Sequence, residues 1–376
     1  MRKDVIAVAD GNAAVREFLR MWQEEVDKGE VMACVAAFSR GEVDVRTGHA
    51  GIIGAEFPLF FGLSDAMELI RERIREIRDP PMADNVAANR VMYNLMALSC
   101  SFDFVPWYVQ AEMTRIREGA PPPLRVGFYP GASGSMDMAL NNDVRRQHFN
   151  NVMLPFIEMM GGVVDPTAVD GRQKRHLSFD AVFAAWRNGE QVPKLAAKPE
   201  AEVEIRKALT ELYGRMPVTI TLREAESFPH RNSNVPEWIR FGEWLKSRGE
   251  TVLYVRDTAK VEESLGEGLE CCPPASVNLF SRVALYQCAK CNLFVSNGPA
   301  VLALLMDRPY LMFQQIVPNS NYWPEQAAGW HHFTGSEPGG QWPIAQAGQR
   351  IVWAADTFEN IRDAWLEHIE PLKIAA

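Results

Sequence analysis

The sequence predicts an α/β protein: two doubly wound units in series, each a parallel sheet covered by helices, behind a small α+β module. Three observations carry this. From about residue 85 onward, short apolar runs alternate with amphipathic helical stretches, the pattern of βαβ units. Breaks at Asp79-Pro80-Pro81 and around Lys194–Pro199 divide the chain into segments 1–82, 85–195 and 200–376. A length of 376 residues accommodates two full domains and a smaller one.

Segment 1–82 begins with Ala14–Lys28, where Val15, Phe18, Leu19, Trp22 and Val26 recur at helical spacing before Gly29. Val31–Phe38 reads as a buried strand, and Arg40-Gly41 turns it into a second, Val43–Thr47. A second helix, Ser64–Arg78, sets Leu69, Ile70, Ile74 and Ile77 among arginines and glutamates. No cluster of catalytic residue types occurs here. The segment therefore reads as a surface for a protein partner or for self-association.

In segment 85–195, Tyr93–Cys100 and Leu124–Tyr129 read as strands around a helix, Phe102–Glu118. A glycine-rich loop, Gly131-Ala132-Ser133-Gly134-Ser135, leads to a helix through His148, Val152, Phe156 and Met159, then to Val163-Val164. Leu177–Pro199 is polar and reads as a bridge. In segment 200–376 the strands are Val218–Leu222, Thr251–Arg256, Leu293–Ser296 and Pro309–Phe313. The helices are Glu200–Tyr213, Pro236–Lys246, Val277–Ala289, Pro299–Met306 and Thr357–Ile369. Ligands of such sheets bind beyond the carboxyl ends of the strands, which directs attention to the loops there.

Composition narrows the function. A net charge of −9 argues against nucleic acid as a partner, since that surface must be basic. No apolar run reaches the roughly 18 residues of a membrane-spanning helix, and no signal peptide is legible at the N-terminus. A cytoplasmic protein, or one peripheral at the inner membrane, is expected. Six cysteines in this length suggest buried reduced thiols rather than a disulfide framework. Cys271-Cys272 with Cys288-x-x-Cys291 is a poor zinc set, because adjacent cysteines rarely aim both thiols at one ion. Metal ligands are therefore expected to be none. The loop 131–135 lacks the Lys-Ser/Thr of a P-loop and the spacing of a dinucleotide fingerprint, and Gly-x-Ser-x-Gly is absent.

Two loops concentrate anion-binding residue types. After Val218–Leu222 come Arg223-Glu224 and then Pro229-His230-Arg231-Asn232-Ser233. Two guanidiniums at a strand's carboxyl end suit a diphosphate, because each offers forked hydrogen bonds to phosphate oxygens. Against this stands a plainer reading, in which the arginines pair with surface carboxylates such as Glu224 and Asn232 or Ser233 only caps the next helix. The second loop is Ser296-Asn297-Gly298-Pro299, a strand–turn–helix junction whose backbone amides could face an anion.

These two stretches resemble the carboxyl-terminal domain of GT-B-type glycosyltransferases. The nearest groups are the lipopolysaccharide heptosyltransferase-like and fucosyltransferase-like enzymes. The resemblance runs through Leu222-Arg223, Phe228-Pro229-His230-Arg231, Trp238-Ile239-Arg240-Phe241 and Val252–Val255. It continues in Phe294–Ala303 and Arg308–Phe313. Phe228 stands where that family usually has tryptophan, and residues 1 to about 80 have no counterpart. The resemblance implies two Rossmann-like domains in a GT-B-like arrangement, with the acceptor on 85–195 and the nucleotide on 200–376. It implies transfer of a sugar from a nucleotide diphosphate donor to a glycan, lipid or protein acceptor, as in bacterial polysaccharide biosynthesis. No cofactor is needed beyond that substrate. Arg223, Arg231, Asn232, Ser296, Asn297, Gly298 and Pro299 would bind the nucleotide diphosphate. With no Asp-x-Asp in the chain, the arginines would take the place of a metal ion. Asp137 and Asp103 are the candidate bases. The rival expectation is a non-catalytic binding protein of the same fold, acting through residues 1–82.

Overall fold

A computed structural model describes residues 43–44, 49–52, 55–58, 87–95, 100–129, 147–165, 168, 172–173, 179–226, 229–313 and 339–373. The described residues fall into two compact units. One draws on Met1–Ser99, Arg125–Arg146 and Val164–Arg175, the other on Cys100–Leu124, Gln147–Val163 and His176–Ala376.

The first unit holds two sheets. Val43–Asp44 (β1), His49–Ile52 (β2) and Ala55–Pro58 (β3) form an antiparallel meander, with Val43 opposite Ala50 and Ala50 opposite Phe57. The expected helices 14–28 and 64–78 and the expected strand 31–38 lie outside the described residues. Arg90–Asn94 (β4) lies parallel to Arg125–Tyr129 (β5) on one side and to Arg172–Gln173 (β7) on the other. With Val163–Val164 (β6) the sheet order is β6-β5-β4-β7.

In the second unit, Phe104–Arg117 (α1) and a helical stretch passing from Phe149–Met153 into Leu154–Met159 (α2) pack aromatic side chains together. Phe104, Trp107, Tyr108 and Phe156 meet at ring distances of 5.4 to 6.3 Å. The stretch expected to be a bridge contains a helix, Asp180–Arg187 (α3), whose Val182 and Phe183 are buried and whose Phe183 ring lies 5.3 Å from Trp342.

The centre of this unit is a five-stranded parallel sheet: Val218–Thr221 (β8), Val252–Val255 (β9), Cys291–Val295 (β10), Tyr310–Phe313 (β11) and Gln349–Val352 (β12), in the order β12-β11-β10-β8-β9. Strands β8, β9 and β11, and β10 apart from Asn292, read as continuous apolar or β-branched runs because both faces are covered. On one face Val218, Ile220, Leu222, Leu293 and Val295 meet Val235–Ser247 (α5) and Phe358–His368 (α9) through Trp238, Phe241, Leu245, Ile361 and Trp365. On the other, Leu253 and Val255 meet Pro199–Tyr213 (α4), Pro273–Val277 (α6) and Leu279–Cys288 (α7) through Leu209, Ala275 and Leu285. Each large apolar side chain buried in this way contributes about 1.5–3 kcal/mol.

The N-termini of α5 and α9 hold one another. Asp356 accepts hydrogen bonds from the Asn234 amide and the Trp238 indole, both at 2.7 Å, while Glu237 accepts from the Phe358 amide at 2.7 Å. Orphan helix amides thus find carboxylates from a distant part of the chain, where negative charge also suits the helix dipole.

Four cysteines divide between the two faces. Cys291 lies in the α5/α9 core and Cys288 in the α4/α7 core, with Cys271 and Cys272 likewise packed against opposite cores. Their thiols do not converge. Among the described residues no group of histidines, cysteines and carboxylates is placed to hold a metal ion, and no helix is long and apolar enough to cross a membrane.

Candidate functional site

The order of the five-stranded sheet fixes where a ligand can enter. From β8 the chain runs through α5 to β9 on one side. From β10 it runs through Ala300–Leu304 (α8) to β11 on the other. The two strands are neighbours, and their loops diverge at the carboxyl ends, opening the crevice typical of a topological switch point. Their register is fixed by side chains as well as by backbone. The Thr219 hydroxyl donates to Asn292 Oδ1 at 2.7 Å across the pair, and Thr221 shares a hydrogen bond of 2.7 Å with the Tyr286 hydroxyl.

Arg223 stands at the head of this crevice. It follows Leu222, whose amide still donates to the Val255 carbonyl, so the strand's geometry extends to the arginine's backbone. The loop then closes on itself. The Arg223 amide donates to Ser233 Oγ at 2.9 Å, and the Ser233 amide returns a bond of 2.9 Å to the Arg223 carbonyl. Arg223 is 9% exposed and its Nη1 donates to Asn232 Oδ1. Asn232 also grips Ala225, accepting from its amide at 3.1 Å and donating to its carbonyl at 2.9 Å. Neither the Asn232 nor the Ser233 side chain caps α5; Asp356 accepts from the amide of its N-cap residue, Asn234.

Arg231 lies on the outgoing limb of the same loop. It is exposed, and its Nη2 donates to the Ser296 carbonyl at 3.3 Å, linking the loop after β8 to the turn after β10. Burial, and then the nearby positive charge of Arg231, lower the proton affinity of Arg223, while Asp257 acts in the opposite sense. Arg231 is lowered too, by the protein that crowds its guanidinium despite its exposed area, with Asp103 opposing. Arginine keeps its charge through shifts of this kind. Burial thus disfavours positive charge at both guanidiniums, and Arg231 adds to this at Arg223.

Glu224, next to Arg223 in sequence, pairs elsewhere. Its carboxylate takes both Nε, at 3.0 Å, and Nη2 of Arg256, and the two side chains are 12% and 8% exposed. Arg256 follows β9 as Arg223 follows β8, and sequence reading passed over it as the end of a strand. Its signal was the same one: an arginine closing a buried apolar run.

The turn after β10 is arranged differently from a row of open amides. Ser296 continues the ladder, its amide donating to the Phe313 carbonyl at 2.9 Å. Asn297 Oδ1 accepts from the Ala300 amide at 3.0 Å, and Pro299, with no N–H, precedes a helix of only five residues. Gly298 is required for a reason internal to the chain. A Cβ there would overlap the Phe102 ring.

Asp103, the residue after Phe102, is exposed at the start of α1, its amide donating to Ser101 Oγ at 3.2 Å. Its charge acts on Arg231, which brings one of the two expected bases to this crevice. Asp137 and the glycine-rich loop 131–135 lie outside the described residues.

No protein-family model matches the chain, and no curated protein sequence does. Among solved structures, the chain is similar to E. coli ADP-heptose LPS heptosyltransferase II, at 13% identity over 71% of this chain and 81% of that one, with a TM-score of 0.33.

Proposed function

We propose that this protein is a glycosyltransferase that moves a sugar from a nucleotide diphosphate donor to a glycan, lipid or protein acceptor without a metal ion. The observation that carries the reading is the pair Arg223 and Arg231, two guanidiniums whose charge is disfavoured where they stand, at the switch point of a parallel sheet. The donor's diphosphate would lie against both. The acceptor hydroxyl would attack the sugar's anomeric carbon as the bond from that carbon to the diphosphate oxygen breaks. The electron pair leaves with the diphosphate, and the arginines stabilise the charge that develops there. The hydroxyl proton would pass to Asp103 or Asp137. Ser296 assists by holding Arg231, and Asn297, Gly298 and Pro299 by shaping the turn below the phosphates. The full arrangement on this reading is GT-B-like, with domains at 85–195 and 200–376 and with 1–82 as an attachment surface.

A thermal-shift screen against UDP, GDP, ADP, CMP and their sugars tests this. A nucleotide at one hundred times its dissociation constant adds about 2.7 kcal/mol of stability. Stabilisation by one nucleoside diphosphate, and slow hydrolysis of the matching sugar, are the expected results. A screen with no shift rejects the nucleotide site and leaves the non-catalytic reading.

A further inference from the structure

We propose that Phe102 is a positioning residue: seated against Gly298, it makes the turn after β10 the common footing of Asp103 and Arg231, and so sets how far the carboxylate stands from the cation. Its part in catalysis rests on the glycosyltransferase reading, in which Asp103 takes the acceptor's proton and Arg231 meets the diphosphate. Residues 296–298 carry both contacts. The Ser296 carbonyl accepts from Arg231 Nη2 at 3.3 Å, and two residues on, the missing side chain of Gly298 leaves the space that the Phe102 ring fills. A Cβ at 298 would come within 3.0 Å of Phe102 Cγ and 3.3 Å of its Cβ, and closer still to the ring edge. The turn is itself anchored: the Ser296 amide donates to the Phe313 carbonyl at 2.9 Å, and the Val301 amide to the Gly298 carbonyl at 3.2 Å.

On its other side Phe102 is joined to the start of α1. Its carbonyl accepts from the Val105 amide at 3.0 Å, and the Ser101 carbonyl accepts from the Phe104 amide at 3.1 Å. Phe104, Val105, Trp107 and Tyr108 are fully buried, which fixes that end of the helix in the core. Asp103 follows, with its Cα about 3.8 Å from that of Phe102. Its charge acts on Arg231 in favour of the positive form. The spacing matters chemically. A base must come within about 3 Å of the oxygen whose proton it takes, while a carboxylate pressed against the diphosphate would repel it. A misplacement of about 1 Å costs on the order of 10²-fold in rate.

The experiment titrates UDP, GDP and ADP into the full chain and its variants and measures hydrolysis of UDP-glucose, GDP-mannose and ADP-glucose, with circular dichroism as the check on folding. Phe102→Ala is expected to slow hydrolysis of the sugar nucleotide that the wild type accepts at least about tenfold, with nucleotide affinity within about twofold. In an Asp103→Asn background the same substitution is expected to cost nothing more. Gly298→Ala is expected to slow hydrolysis as well, and adding Phe102→Leu, a smaller side chain, to recover part of the rate. Should Phe102→Ala fail to fold, Phe102→Leu takes its place. Wild-type hydrolysis in Phe102→Ala overturns the proposal. So does a loss that persists in full without the Asp103 carboxylate, one that falls on nucleotide affinity instead of rate, or a Gly298→Ala loss that Phe102→Leu leaves in place. Wild-type hydrolysis in Asp103→Asn also overturns it, while the glycosyltransferase reading survives with Asp137 as the base. A wild type that hydrolyses none of the three rejects that reading itself, and the positioning role with it.

Discussion

Two arginines follow two adjacent parallel strands, and their surroundings give them opposite fates. Arg256, after β9, is buried against Glu224, and that hydrogen-bonded carboxylate raises its proton affinity. Arg223, after β8, is equally buried, but desolvation and a second arginine lower its proton affinity. Residue type, strand end and burial are shared; the partner differs. Arg256 is satisfied from within the chain. Arg223 donates to the Asn232 amide oxygen and stands near a second cation, Arg231, with the Asp257 charge acting in the opposite sense.

Removing each arginine should therefore produce opposite signatures. The largest effect is expected from Arg256→Ala, which leaves Glu224 buried without its countercharge and should cost about 3–5 kcal/mol of stability. Replacing both partners, as Glu224→Leu with Arg256→Met, should recover most of that loss. Urea unfolding of the single and double variants decides, and a single-variant loss below about 1 kcal/mol would place Arg256 outside the structural class.

Arg223→Ala should behave in reverse. Nucleoside diphosphate binding should weaken at least about tenfold, with Arg223→Lys between, because lysine keeps the charge and loses the forked geometry. Its urea midpoint should stay close to that of the wild type. Calorimetric titration beside the unfolding curves separates the two outcomes, and a variant that unfolds early but binds normally would merge Arg223 with Arg256.

The smallest effect belongs to Arg231, which is exposed and donates to the Ser296 carbonyl. Arg231→Ala should weaken binding about twofold to fivefold and make the affinity less sensitive to salt, since an exposed charge acts through a screened field. Titrations at low and at physiological ionic strength measure this. An unchanged salt dependence would reduce the pair to Arg223 alone.

What the sequence revealed, and what it hid, follows from how far each feature reaches along the chain. Strands β8, β9 and β11, and β10 from Leu293 onward, were legible because burial on both faces makes them continuous apolar or β-branched runs. β12 was not, since Gln349 and Arg350 interrupt the pattern and its burial alternates. The helix expected over Val277–Ala289 is broken at Asn278, whose side chain accepts from the Ser281 amide at 3.0 Å and starts α7 afresh. Helix α3 was missed because only Val182 and Phe183 of its eight residues are buried. At the site, Arg223 and Arg231 could be named from residue type and position at a strand's end. Their partners could not. That Glu224 belongs to Arg256, 32 residues away, is a consequence of folded geometry and leaves no local pattern.

The bond from the Asn234 amide to Asp356 spans 122 residues. During synthesis the arginine loop and the start of α5 emerge long before the carboxylate that anchors them. Contacts of such separation form late and make assembly slow. A chain stopped short of Asp356 would carry every arginine discussed above, yet its Asn234 amide and Trp238 indole would lack the acceptor that holds them. The footing of the arginine loop thus depends on a carboxylate made 122 residues later, and a copy that stops before Asp356 has the arginines without the contact that anchors the start of α5.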